Sequence, residues 1–451
     1  MPLRRWKNVT WSTISQGDLE TEQEQCRDEG RDISPVEAEF LALSTLDIAE
    51  DAVQARAEAL LDTIQTLPYI TGSPFVEPSD LAGIHAELAS PPALPARALT
   101  PEELYNKALG GWQGRACGCL LGKPVEGRRK AQIEEYLRAQ QRWPLDAFFS
   151  LDAPAELIAA MGWTNADPSL FEGGITRMPE DDDTNYTVCG LAILKEKGME
   201  FTPDDVAGFW MSRIPYFCLC TAERIAYRNF VTTVAPPDSA SYRNVYREWI
   251  GAQIRADCFG YVNPGNPRRA AEFAWRDASI SHIKNGIYGE MWVAAMLAAA
   301  YVCEEVAGVI RAGLAQIPPC SRFHAAIEHI LALHQSGISY DEAIADVRAR
   351  WDESKGHHWC HTISNAEIVA VALLWGEQDY GRSICLAVMP GFDTDCNGAT
   401  VGSVLGVLLG AERLPSRWIA PLHDTLLTGV SGYHTVSLTQ MARDTVALMG
   451  K

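Results

Sequence analysis

Two short acidic runs are the residues best suited to chemistry. One is Asp181, Asp182, Asp183 and Thr184 in RMPEDDDTNYTVCGLAIL; the other is Asp393, Thr394 and Asp395 in GFDTDCNGATVGSVLGVLLG. Carboxylate and hydroxyl oxygens are hard donors and suit Mg²⁺, Mn²⁺ or Ca²⁺ better than zinc. Each run leads into an apolar stretch that reads as a buried helix, where unpaired charge is costly. At the first run, N-capping is an open alternative, since Asp and Thr are favoured caps and the helix dipole welcomes negative charge. A cap needs one such residue, and here there are three. The same two readings stay open for Asp393 and Asp395. No EF-hand spacing, phosphate-cradling glycine loop or GxSxG elbow is present.

The elements that must hold these carboxylates are marked by glycine. After Asp395, glycines fall at 398, 402, 406 and 410, and a spacing of four sets them on one helix face. Each costs about 1 kcal/mol relative to alanine, so another backbone is expected close against that face. Gly110, Gly114, Gly118 and Gly122 repeat the spacing in GGWQGRACGCLLGKPVEG. If the two stripes pack near each other, Glu126 comes to Asp393 and Asp395. Thr100, Pro101, Glu102 and Glu103 form a plausible N-cap and acidic first turn. Helical spacing recurs over Glu290–Glu305, Phe323–Ser336, Tyr340–Trp351, Asn365–Leu374 and Thr435–Met449. Alternating strand patterns are scarce, so an all-α bundle is expected. Residues 1–100 differ: an acidic stretch over 18–51, a helical pattern around Ile48–Ile64, then a proline-rich connection from Pro68 to Pro101 that contains SPPALPARALTP. They read as an appended helical segment and linker before a catalytic domain at 101–451.

A formal net charge of -20 over 451 residues argues against a nucleic-acid or anionic-membrane partner. The first residues carry no apolar signal region, and no stretch reaches the roughly 20 apolar residues of a membrane helix. A cytoplasmic location is expected, with the twelve cysteines as reduced thiols. They include the pairs Cys117/Cys119 and Cys218/Cys220 but no CxxC. The run HHWCH at 357–361 invites a zinc reading, yet nothing nearby in sequence completes a site. His361, leading through Ser364 to Asn365, reads as a cap or a substrate contact. His282, in SISHIKNGIYGEMW, reads equally as a ligand contact or a structural histidine.

Taken together these motifs resemble the ADP-ribosylglycohydrolase family, over residues 102–445. A small-residue helix running into a glutamate is matched by GRACGCLLGKPVEG and Glu126, the acidic helix start by Asp181–Thr184, and a DTD before a small-residue helix by Asp393–Asp395. The resemblance implies an all-α fold with two Mg²⁺ ions in a central cleft, Mn²⁺ being the alternative. It implies Asp182, Asp183, Asp393 and Asp395 as metal ligands, with Asp181 at the position of a usual Thr or Ser ligand. Glu126 would sit at the reacting ribose, with Glu126 or Asp393 as the acid–base group. The segment GAQIRADCFGYVNPG resembles the family's substrate loop, which makes Gly251, Gln253 and Arg255 candidate substrate contacts. His282, Asn285, His361, Asn365 and Asn397 complete that candidate set. The implied activity is metal-dependent hydrolysis of an N- or O-glycosidic bond at the anomeric carbon of a protein-linked or small-molecule ADP-ribosyl group. Alternatives are a small ribosyl metabolite or nucleoside as substrate, and an inactive structural homologue, against which the retained acids count. The chain departs at Asp181, at Cys396 where threonine is common, and at Ile250 where asparagine is frequent.

Overall fold

The two glycine stripes face each other in the structure, a computed structural model that describes residues 9–89 and 93–451. The first glycine helix, Pro101–Gly122, starts from a capping box in which Thr100 and Glu103 exchange side-chain and backbone hydrogen bonds. The second, Thr394–Leu409, runs antiparallel to it. A Cβ on Gly110, Gly114 or Gly118 would fall 2.1, 2.2 and 1.9 Å from the carbonyl oxygens of Gly406, Gly402 and Gly398. Gly122 continues the series against the Thr394 carbonyl at 2.2 Å. Only a Cα–H fits in that space, and four such contacts bring two backbones as close as helices come. The helix cost of each glycine is thereby offset by packing.

Among the described residues there are 22 α-helices and one two-stranded sheet, an all-α architecture. A central helix, Lys284–Ala300, is buried on nearly every side, which is why its sequence is apolar all round. Two expected helices depart from their patterns: the one over Glu290–Glu305 stops at Ala300, and the one over Thr435–Met449 is shortened. Thr435–Ser437 is a strand paired antiparallel with Thr425–Leu427, and the helix begins only at Leu438. Thr435 and Val436 are β-branched, and the Ser437 side chain caps the helix by accepting from Gln440 N. The strand has a positional role. Met178 bridges its partner, Thr425–Leu427, on that strand's other edge, through Met178 N to Thr425 O and Leu427 N to Met178 O, each 2.9 Å. That bridge clamps the chain three residues before Asp181.

Residues 9–89 carry helices at Gln16–Asp28, Glu37–Leu43, Asp51–Ile64 and Leu81–Glu87, the last of them inside the expected linker. Ser90, Pro91 and Pro92 of the proline-rich connection lie outside the described residues, as do residues 1–8. The acidic character of this part has a structural use. Glu22 and Glu29 hold the buried Arg247 at 2.6 and 2.8 Å, Gln25 donates to Glu248 at 2.7 Å, and Glu77 takes Arg322 at 2.8 Å. Its apolar residues, among them Leu19, Leu43, Leu60 and Ile84, join one core cluster with the rest of the chain.

Candidate active site

The glycine pairing delivers the acidic residues to one place. Where the first glycine helix ends, Gly122 presses on the backbone of Thr394 and Asp395, and the Thr394 hydroxyl donates to Gly122 O at 2.9 Å. The chain then makes a tight turn through Lys123–Val125 to Glu126. On the opposite side, Gly391 and Phe392 both take positive φ, 79° and 60°. At that φ an L side chain is strained, and a Cβ on Gly391 would also stand 3.0 Å from the backbone nitrogen of Lys130, so glycine is favoured there. A left-handed phenylalanine costs roughly 1 kcal/mol, a strain of the kind found where a functional side chain is aimed. Asn365 fixes the turn: its Oδ1 accepts from Asp393 N at 3.2 Å and from Asn397 Nδ2 at 2.8 Å.

Asp181 caps the helix Asp182–Lys197, its Oδ1 accepting from Asp183 N at 3.0 Å, while Oδ2 takes the Lys123 ammonium at 2.6 Å. Capping and charge clustering therefore coexist. Asp183 is held by Arg115, which donates to its carboxylate at 3.1 Å and to its carbonyl at 2.9 Å while pairing with Asp257 at 2.8 Å. Cys396 Sγ faces Asp183 Oδ2 at 3.2 Å, and Cys360 Sγ faces Asp393 Oδ2 at 3.6 Å. Burial holds both thiols well above their usual range, so they act as weak S–H donors to carboxylates.

Crowding shows in the titration of the cluster. Burial, then the charges of Asp181 and Asp395, push Asp182 up to about 7. Asp183 is raised well above the carboxylate range by burial, against the pull of Arg115. Asp393 is raised well above it by burial, then by Asp395 and Glu126. Asp395 is raised by burial and then by Asp181. Glu126 is exposed on the rim, and the Asp395 charge is the first cause of its strong upward shift. Asp395 Oδ1 is buried without a hydrogen-bond partner. Six carboxylates face two cations, Lys123 and Arg115, and Arg115 is shared with Asp257, so the acids outnumber the charges that could balance them.

The proposed substrate contacts divide into two groups. Asn365 and Asn397 belong to the Asp393 turn, and Asn397 Oδ1 is buried and unpartnered. Gly251 lies one residue from Ile250, whose N–H donates to Cys360 O at 2.9 Å, beside Asp393. A Cβ at Gly251 would sit 2.1 Å from Glu223 Oε1. Gln253 Oε1 accepts from Thr362 at 3.2 Å, leaving Nε2 buried and free of partners. Arg255 is buried and engaged internally: it pairs with Asp277, with Glu223 at 2.7 Å and with Ser281 at 3.0 Å. Asn285 is equally consumed, donating to Glu77 and Glu248 at 2.9 and 2.7 Å and accepting from Phe323 N at 3.0 Å. His282 is fully buried against Ser281 Oγ at 2.8 Å, and burial with the Arg255 charge holds it well below its usual range.

Two of the HHWCH histidines, His357 and His361, meet Asp28 of the N-terminal helix. His357 Nδ1 accepts from the Trp249 indole, His358 Nδ1 from Asp352 N and His361 Nδ1 from Ile363 N, at 3.1, 3.0 and 3.1 Å. Each neutral ring then carries its proton on Nε2, and His357 Nε2 donates to Asp28 at 3.0 Å. A zinc ion on those Nε2 atoms would need the opposite tautomers, so the cluster is a hydrogen-bonded junction. His361 caps the helix Thr362–Trp375, one of its two sequence readings. Sequence reasoning passed over Lys123 and Arg115. The available signal was a lone basic residue in each small-residue stretch, GKPVEG and GGWQGRACG.

A family model for ADP-ribosylglycohydrolase matches residues 100–451. No curated protein matches the chain in sequence. Among solved structures, one described as an ADP-ribosylglycohydrolase-related protein complex is similar, with TM-score 0.50 and 19% identity, covering 77% of this chain and 98% of that one. At that identity the likeness speaks to the fold. The family match begins at the Thr100 cap and spans every carboxylate of the cluster, and on that match the chain belongs to the ADP-ribosylglycohydrolase family, hydrolases acting on ADP-ribosyl-type substrates.

Proposed function

We infer that the acidic cluster holds two divalent cations, Mg²⁺ first among them, and hydrolyses the glycosidic bond at the anomeric carbon of a ribosyl group. One observation carries this reading. Six carboxylates, Asp395 Oδ1 buried and unpartnered among them, crowd around Lys123 and an Arg115 shared with Asp257, an excess of acidic oxygens over cations that suits divalent ions. The donors are oxygens from Asp181, Asp182, Asp183, Asp393 and Asp395, a set suited to hard cations. When bound, such ions supply Lewis acidity toward ribose hydroxyls and lower the pKa of a water.

The chain's own groups do the rest. Glu126 is the carboxyl with access, exposed on the rim while Asp393 is buried and tied to Cys360. The charge of Asp395 keeps a proton on Glu126 well above the normal carboxylate range, so it can protonate the departing atom and then accept a proton from water. The surrounding carboxylates stabilise the positive charge that develops on the sugar. Arg115 and Asn365 fix Asp183 and the Asp393 turn, so the charges are set before substrate arrives.

An ADP-ribosyl conjugate is the substrate class that family membership favours. A compact ribosyl compound is the second reading, supported by the internal engagement of Arg255 and Asn285, which leaves less to grip a diphosphate. Incubation with ADP-ribosyl-arginine, ADP-ribosyl-serine and free nucleosides, with Mg²⁺ or with EDTA, tests both. ADP-ribose released only with the metal is the expected result. Release of ribose from nucleosides alone selects the compact reading, and no release from any substrate overturns the function.

A further inference from the structure

The two cations in the cluster are held very differently. Arg115 is locked: its guanidinium donates to Asp183 and to Ile254 O at 2.6 Å, forms an ion pair with Asp257, and its side chain is only 1% exposed. Lys123 makes one hydrogen bond, to Asp181 Oδ2, from the end of a flexible stem, and its side chain is 24% exposed. Asp181 itself is 1% exposed, and its other oxygen is already engaged as the cap on Asp183 N. Asp181, Asp183 and Cys119 bring ligand atoms within 4.8 Å of one another, a group of metal-binding dimensions. A divalent ion bound there through Asp181 must take the oxygen that Lys123 holds, because two cations on one carboxylate oxygen repel. A lysine ammonium is a mobile point charge and can yield where a forked guanidinium cannot.

We propose that Lys123 is a tethered counter-ion for Asp181 that one of the two divalent ions must displace, so that Lys123 sets the affinity of that position. It neutralises part of the cluster when the metal is absent and makes full metal loading depend on the free cation concentration. The proposal rests on the di-metal reading above and deepens it: one ion position is tight, and the other is in competition with a residue of the chain. The competition is a linkage effect, since anything that stabilises the metal-free form weakens binding by the same amount.

Mg²⁺ titrations by calorimetry on the wild type, Lys123→Met and Lys123→Arg test it. Removing the ammonium should tighten one of the two sites by about tenfold, the scale of one charge-assisted hydrogen bond, and leave the other unchanged. Lys123→Arg should bind no more tightly than the wild type. Equal affinities in wild type and Lys123→Met overturn the proposal while the metal reading stands; no Mg²⁺ binding by either protein overturns both. A second measurement needs no variant: ¹⁵Nζ-lysine NMR on the wild type. The ion-paired ammonium signal should be present in EDTA and lost or shifted at saturating Mg²⁺. A signal unchanged by Mg²⁺ overturns the displacement, even if Lys123→Met fails to fold.

Discussion

Asp395→Asn should reduce turnover by at least about a thousandfold, roughly 4 kcal/mol of transition-state stabilisation, and leave the fold intact. The substitution keeps the shape and deletes one charge at the most crowded point of the cluster, where Oδ1 is buried and unpartnered. Asp395 raises the titration of Asp182, Asp183, Asp393 and Glu126, so its removal relieves repulsion throughout. The metal-free variant should therefore melt no lower than the wild type, and added Mg²⁺ should stabilise it less. Glu126→Gln should separate the two effects: turnover should fall to a similar extent while Mg²⁺ binding persists, because Glu126 stands on the exposed rim. Steady-state kinetics and melting curves of both purified variants provide the check. Near-normal turnover in both sinks the assignment of chemistry to this cluster.

Gly118→Ala should destabilise the protein by about 3 kcal/mol or more. Its new methyl would lie 1.9 Å from Gly398 O and 2.5 Å from Gly398 C. Those neighbours are backbone within a buried helix, so no side chain can swing aside, and the two glycine helices must separate. Gly208→Ala is the control, because that helical glycine meets nothing within 4 Å. There alanine should stabilise by up to about 1 kcal/mol through helix propensity alone. Urea denaturation separates the two outcomes. If Gly118→Ala is as well tolerated as Gly208→Ala, the glycine pairing does not set the helix spacing. Separation of the helices also moves Asp395 away from Glu126, so turnover should fall with stability.

The glycine stripes were legible because their signal is local: residues four apart share a face wherever the helix ends up. The acidic runs were legible as clusters for the same reason, and Glu126 was expected near Asp393 and Asp395 on the condition that the two stripes pack together, as they do. The residues that complete the cluster were not. Lys123 lies 58 positions from Asp181, and Arg115 lies 68 from Asp183, and no periodicity links such pairs. The use of the acidic N-terminal residues was hidden similarly, since Glu22 meets Arg247 across 225 positions. Thr435–Ser437 read as helix because a three-residue strand is too short to show alternation, and what holds it is pairing with Thr425–Leu427, outside the segment that carried the helical pattern. Arg255, His282 and Asn285 are polar residues in a buried setting, and sequence alone does not say whether such groups face a ligand or each other.

Calorimetric titration of metal-free protein with Mg²⁺, repeated in buffers of different ionisation enthalpy, tests whether the carboxylate cluster is a di-metal site. Asp182 is pushed up to about 7, and Asp183, Asp393 and Glu126 are held well above the carboxylate range. Cations filling the cluster must therefore expel protons at neutral pH. Two ions bound per chain with measurable proton release is the expected result. Absence of binding, or binding without proton release, would contradict it.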